Sequence, residues 1–351
     1  MSPEDICIQF DLPFSRLNIL PLGKGLINDT YLIEPIDTDN ENKFVLQKIN
    51  KNVFKEPEKV MHNLIRINQH LKIKKAEYQE LIQSVQGQLY YIDRSGDYWR
   101  ITRYLENTTT LYTADNTNIA YEAARSYGNF LHDLHDLNVS EIYETILGFH
   151  NYANRITLLK KAIQENTYNR LGKCQKEIDI INNRLHYIDT FYALKLPLRV
   201  IHSDTKIDNI LFDAVTMKGR LVIDLDISMP GSVLYDYGDM IRSFTNTLKE
   251  DDPDLNAIDV KLDIFEHVTR GFIESTNNFI QEKELENLIL GAKLIILIQA
   301  VRNLTDYLFG DIYYKTDYET HNLHRAQNQL TLVAAIESHE TILQQLIYKY
   351  I

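Results

Sequence analysis

A β-rich island interrupts the helical second half of this chain. It reads Val200-Ile-His202-Ser-Asp204-Thr-Lys206-Ile-Asp208-Asn209-Ile-Leu-Phe-Asp213, followed by Leu221-Val-Ile-Asp224-Leu-Asp226. Apolar runs at Leu198–His202, Asn209–Phe212 and Leu221–Leu225 predict three short strands joined by polar loops. Around it the period is helical, over Ile119–Leu137, Asn151–Asn166, Cys174–Ala193, Tyr235–Leu248, Val260–Phe279, Lys283–Leu308 and His321–Tyr350. The first hundred residues differ. Branched and aromatic runs at Leu17–Leu22, Leu26–Pro35, Lys43–Ile49, Gln79–Val85, Gln88–Asp93 and Tyr98–Tyr104 predict strands. Turn signals at Gly23-Lys-Gly25 and Asp37–Asn42 separate the first three. One helix intervenes, with Pro57 suited to its first turn and Val60, Leu64, Ile67 and Leu71 on one face. The polar stretch Glu106–Thr110 marks a boundary, and 351 residues suit two units better than one core. The expected class is therefore α+β in two lobes. Residues 1–105 form a small antiparallel β lobe, and residues 106–351 a larger, mainly helical lobe.

The island has the residue types that phosphoryl transfer needs, at usable spacing. That reaction asks a protein for positioning, a metal clamp and a group that takes the acceptor proton. Asp204 follows an apolar strand on a loop, where its carboxylate can meet an acceptor hydroxyl. Asn209 offers a neutral oxygen to Mg²⁺, and Asp224, at the end of the next strand, an anionic one. Lys206 can offset charge on the moving phosphate, and His202 is expected to brace the loop. His202, Asp204 and Asn209 fit the H-x-D-x-x-x-x-N pattern of a kinase catalytic loop, with Asp224 as the downstream metal-binding Asp. The plain alternative is a turn whose Asp and Asn cap local backbone. It leaves unexplained the apolar strand before each acidic residue.

Charge and cysteine content narrow the partners. A net charge of −12 repels nucleic acid and anionic membranes, and the longest basic cluster is Lys72, Lys74 and Lys75. Two cysteines without a CxxC argue against a disulfide framework and fit a reducing cytoplasm. The N-terminal segment has acids and no long apolar run, unlike a signal peptide. The run Leu288–Val301, with Lys293 and Gln299, reads as a buried helix, too short and polar to span a bilayer.

The chain resembles the aminoglycoside phosphotransferase superfamily, and within it the N-acetylhexosamine 1-kinases. The matching segments are Gly25–Thr30, Phe44–Asn50 with Val53-Phe54, His202–Asp213, Val222–Asp226, Met229-Pro-Gly231, Tyr235–Asp239, and Arg302–Asp306 with Gly310–Tyr313. The resemblance implies a two-lobed protein-kinase-like fold, ATP and Mg²⁺, and phosphorylation of the anomeric (C1) hydroxyl of N-acetylglucosamine or N-acetylgalactosamine. Carried over, Asp204 is the base, and Asn209 and Asp224 are the metal ligands. Arg302 and Tyr313 fall where that family contacts the sugar, and Asp226 falls at either sugar or metal. Another small alcohol, such as choline, an aminoglycoside or a thio-sugar, is the competing acceptor. A non-catalytic nucleotide-binding protein is the third reading.

The nucleotide side is less regular. Backbone amides of Gly23, Gly25 and Asn28 are expected to cover the phosphates, although a plain hairpin turn reads the same way. The third strand carries Gln47 where a lysine is usual, with Lys48 beside it, and only one of the two can face the nucleotide. Arg103-Tyr104-Leu105 is the expected hinge, whose backbone at Tyr104 and Leu105 would pair with adenine. His132 and His135 read as a packed helix end rather than a metal site. Asp236 and Asp239, opening a helix, read as structural.

Overall fold

The computed structural model describes residues 1–14, 16–23, 27–36, 42–252 and 254–351. Gly25 and nearly all of the turn expected at residues 37–42 lie outside them. The first lobe runs α1 (Pro3–Cys7), β1 (Leu17–Pro21), β2 (Asp29–Pro35), β3 (Phe44–Lys48), α2 (Pro57–Lys74), β4 (Tyr91–Ile92) and β5 (Tyr98–Arg103). The strands form one antiparallel sheet in the order β1-β2-β3-β5-β4. One face of it buries Ile33, Phe44, Leu46, Trp99 and Ile101 against Ile6 and Cys7 of α1. Nothing in the hydrophobic period announced α1. Its start is a capping box between Ser2 and Asp5, with Pro3 in the first turn.

Two expected strands are corrected. Gln79–Val85 makes only single bridges, Leu81 to Thr102 and Ser84 to Phe10. Gln88–Asp93 shrinks to the two residues of β4. Asp93 folds the chain back instead. Its Oδ1 accepts from the amides of Ser95 and Asp97, and its Oδ2 from the Trp99 indole.

The second lobe starts with β6 (Thr108–Thr109) and α3 (Thr117–Leu134), α4 (Tyr152–Glu165), α5 (Gln175–Asn182) and α6 (His186–Leu194). The island follows as β7 (Arg199–Ile201), β8 (Ile210–Asp213), β9 (Gly219–Val222) and β10 (Met229–Gly231). Then come α7 (Val233–Phe244), α8 (Leu262–Thr276), α9 (Glu282–Leu285), α10 (Leu288–Leu308), α11 (His321–Ser338) and α12 (Glu340–Tyr348). Strands β6-β8-β9 form one small sheet and β7-β10 another. The architecture is thus α+β, an antiparallel sheet beside a larger helical part. The helices expected over Cys174–Ala193 and His321–Tyr350 are each broken, around Asn183–Leu185 and at His339. The first break lets Arg184 grip Glu337 with two parallel bonds of 2.7 and 2.6 Å.

Helix α10 runs seven residues past Val301, to Leu308. It is long and apolar enough to cross a membrane, with mean hydropathy 1.6 over its most apolar window, yet 72% of that window is buried in the protein. The helix expected over Lys283–Leu308 ends where expected but is split between Leu285 and Leu288, and its burial matches the expectation of a core helix. Gly238 on α7 and Gly291 on α10 bring these two backbones into contact. A Cβ at Gly238 would sit 2.5 Å from the Gly291 carbonyl, and one at Gly291 2.7 Å from that of Leu234.

Candidate active site

The loop after β7 is built by carboxylates from α7. Asp236, fully buried, accepts from the amides of His202 and Ser203, both at 2.8 Å. Asp239 accepts from the Thr205 amide at 2.9 Å, and Thr205 donates its hydroxyl to the Asp236 carbonyl. Burial pushes the Asp236 carboxyl up to about 6, against the pull of His202 and the two amides. His202 is equally buried, with Nε2 2.9 Å from the Ile223 carbonyl and its ring edge-on to Tyr127 and Phe130. It braces the loop against the strand that leads to Asp224. Ser203 and Asp224 both hold positive φ, 72° and 60°. Such conformations cost roughly 1–3 kcal/mol and persist only where surrounding contacts enforce them.

Asp204 and Asn209 then meet. The Asn209 amide nitrogen donates to the Asp204 carbonyl at 3.0 Å and to its carboxylate at 3.2 Å. The Lys206 ammonium lies 3.0 and 3.2 Å from the two Asp204 oxygens. Burial raises the Asp204 carboxyl, but the Lys206 charge and hydrogen bond outweigh it and hold the group below the usual carboxylate range. Asp224 goes the other way. Burial, with the charges of Asp226 and Asp204 beside it, pushes it up to about 7. Three of the residues expected to work together, Asp204, Asn209 and Asp224, therefore surround one cleft, with Lys206 at Asp204.

The roof of this cleft comes from the first lobe. Gln47 on β3 pairs in register with Thr30 on β2 and Arg100 on β5, so their side chains share one face. Gln47 accepts from Nε and Nη2 of Arg100 at 3.0 and 2.9 Å and donates to Thr30. Lys48 points to the opposite face, paired with Asp97 at 2.6 Å. Of the two candidates, Gln47 is thus the one on the cleft side. Arg100, 1% exposed, reaches across the lobes to Asp226 Oδ1 at 2.5 Å, and Asn28 donates to Asp226 Oδ2 at 2.6 Å. Each carboxylate oxygen of Asp226 thus accepts one hydrogen bond from the first lobe. Gly23 turns the chain after β1 with φ of 73°. At the hinge, the Tyr104 amide is spent on the Lys43 carbonyl, and the Leu105 carbonyl accepts from Thr108. Tyr104 N–H is therefore not open to adenine.

On the far side of Asp204 lies a cationic and aromatic wall. The His150 Nε2 is 3.0 Å from Ser203 Oγ, and its ring stacks on Tyr235 at 4.3 Å. Burial first, then the charges of Arg302 and Arg155, push His150 down to about 3, so it is neutral. The Arg302 guanidinium sits over the rings of Phe149 and Tyr314, at 5.3 and 5.8 Å. Tyr313, expected beside the ligand, is 62% exposed and touches Tyr314 edge-on. Asp306 shapes this segment by accepting the amides of Ile312, Tyr313 and Tyr314. Among the described residues, neither Arg302 nor Arg155 forms a salt bridge, and Arg155 Nε is buried without a partner. His132 and His135 sit at the end of α3, with His135 stacked on Phe279. Arg100, His150 and Arg155 were not anticipated. The one available signal was Arg100, an arginine in the middle of an apolar strand.

The comparisons with known proteins bear on the family and the fold. The family model of the phosphotransferase enzyme family APH matches residues 18–257. Among solved structures, an aminoglycoside phosphotransferase from Alicyclobacillus acidocaldarius superposes with TM-score 0.62 at 10% identity, over 99% of this chain and 97% of that one. An amicoumacin kinase in complex with AMP-PNP, Ca²⁺ and Ami gives 0.64 at 10%, over 93% and 91%. A choline kinase from Cryptosporidium parvum Iowa II gives 0.56 at 14%, over 98% and 96%. At these identities the superpositions speak for the fold, and the family match covers well over half of the chain. The chain belongs to the phosphotransferase enzyme family.

Proposed function

We propose that this phosphotransferase moves the γ-phosphate of ATP, with Mg²⁺, onto the anomeric hydroxyl of an N-acetylhexosamine. The donor set fits a divalent cation. Asp204 has Lys206 as partner and Asp226 has Arg100, whereas burial and then the charges of Asp226 and Asp204 push Asp224 up to about 7, a load that a divalent cation would relieve. No group of three or more His, Cys, Asp or Glu forms a metal site among the described residues. That suits Mg²⁺, which takes most of its ligands from phosphate and water. Asn209 and Asp224 would hold the ion, which shields the charge of the phosphates. Asp204, kept ionised by Lys206, accepts the hydrogen bond of the acceptor hydroxyl and aims it. A low proton affinity makes it a modest base, which suffices where the transition state is loose. Lys206 offsets charge as the phosphate passes.

The acceptor class rests on one observation: the wall beyond Asp204 carries Arg302 and Arg155 without carboxylate partners. An alkylammonium acceptor such as choline would meet like charge there. Hydroxyl and acyl oxygens of an N-acetylated sugar instead accept from guanidinium groups. The two lobes, residues 1–105 and 106–351, would divide the work between nucleotide and acceptor, with the Gly23 turn and Asn28 over the phosphates.

The test is an ADP-release screen over N-acetylglucosamine, N-acetylgalactosamine, galactose, glucose, choline and an aminoglycoside, with the product read by ³¹P NMR. A C1 phosphate on an N-acetylhexosamine is expected. Turnover of choline or the aminoglycoside with none on hexosamines overturns the acceptor, and phosphate at carbon 6 overturns the position.

A further inference from the structure

Kinases of the protein-kinase type bring a lysine from the third strand to the nucleotide phosphates and tie it to a glutamate on the helix that follows. Both parts differ here. The cleft-facing residue of β3 is the neutral Gln47, while Lys48 is turned away to Asp97. The inward polar residues of α2 are Asn63 and Asn68, both buried; Asn68 donates to the Gln79 carbonyl, and Asn63, fully buried, is also occupied with backbone. It donates to the carbonyls of Tyr143 and Ser228 and accepts from the Tyr143 amide. The positive charge on this face of the sheet comes one strand over, from Arg100 in register with Gln47. Its anchor, Asp226, comes from the other lobe, two residues after Asp224. Arg100 also lies near enough to Asp224 for its charge to act on that carboxyl.

We propose that Arg100 is the phosphate-binding cation of this enzyme, delivered from β5 in place of the third-strand lysine and oriented by Asp226 and Gln47. A guanidinium has five N–H donors. Nη1 serves Asp226, and Nε and Nη2 serve Gln47, which leaves one N–H on each of Nη1 and Nη2 for two phosphate oxygens. Because Arg100 and Asp226 sit in different lobes, the cation is aimed only when the lobes are together. Asn28, from the segment after the Gly23 turn, holds the second oxygen of Asp226 and so ties the phosphate cover to the same anchor. The proposal rests on the phosphotransfer reading and is independent of which alcohol accepts.

The test is calorimetric titration of the full chain with Mg·ADP and with adenosine, which needs no acceptor. In Arg100→Met the affinity for Mg·ADP is expected to fall at least tenfold and that for adenosine to stay within twofold. Gln47→Lys added to Arg100→Met should return most of the loss, which a merely structural arginine would not allow. If Arg100→Met does not fold, Arg100→Met/Asp226→Asn removes both charges together, and Asp226→Asn alone is its reference. A clearly larger loss of ADP over adenosine preference in the double variant than in the single one supports the proposal. Unchanged preference, or equal loss for both ligands, overturns it. Absence of Mg·ADP binding by the wild-type chain overturns the phosphotransfer reading along with it.

Discussion

Asp204 and Asp224 are both half-buried carboxylates of one cleft, yet their environments drive them apart. Lys206 is bonded to the first, and the second faces two like charges. Asp204→Asn keeps the size and the contact with Asn209 but loses the charge that orients the acceptor. It should lower kcat by about 10²–10⁴ while Mg·ADP binding stays within a few fold, read by steady-state kinetics and calorimetry. His150 gives a stability signature. Its folded proton affinity is depressed to about 3, far below an unfolded histidine near 6.5. The unfolded chain therefore takes up a proton that the folded one refuses, and stability falls as pH drops from about 6.5 toward 3. His150→Gln removes that uptake. Between pH 7 and 5.5 the variant should lose up to about 1 kcal/mol less stability than wild type, measured by denaturant unfolding. At this scale the spacing of His202, Asp204 and Asn209 was legible, because those residues share one short loop. Arg100, His150 and the side-chain bond of Asn28, which was read only for its backbone amide, were not, since each meets its partner through a contact distant in sequence.

Helix α7 is the element on which the loop from His202 to Asn209 depends. Asp236 and Asp239 read from the sequence as acids opening a helix; in the fold they bind the amides of His202, Ser203 and Thr205. The position of α7 is set by its contact with α10 through Gly238 and Gly291. Gly291→Ala would gain up to about 1 kcal/mol of helix propensity. The new Cβ, however, would meet the Leu234 carbonyl at 2.7 Å, and backbone cannot yield as a side chain does. Overpacking should prevail and cost about 1–3 kcal/mol, with a lower melting temperature and reduced kcat. Gly172→Ala, whose added Cβ meets nothing within 4 Å, should leave both unchanged. Elements with a long apolar period, α2, α3 and α10, were readable from the sequence. Strand edges such as Gln79–Val85 and breaks such as Asn183–Leu185 were not. Whether an apolar run pairs or bends depends on neighbours that the local pattern does not name.

For the whole molecule, α2 joins the lobes. By sequence it follows β3, yet Val60, Met61, Leu64, Ile67 and Leu71 join the large core with α3 and α7 rather than the sheet's own small core. Asn63 completes the joint by bonding Tyr143 and Ser228. Asn63→Ala strands two carbonyls and one amide in a buried place. It should cost at least about 2 kcal/mol in a thermal melt and raise the KM for ATP, because the segment after Asp226 loses its tether. The sequence by itself determined the β-rich first part, the helical remainder and the short loop that carries His202, Asp204 and Asn209, because periodicity and short spacings are local properties of a chain. Only the tertiary structure decided that Gln47 rather than Lys48 faces the cleft, that Arg100 brings its charge there, and that Asp226 is held by the opposite lobe. Strand register and lobe contact set those choices, and both are settled by burial across distant segments.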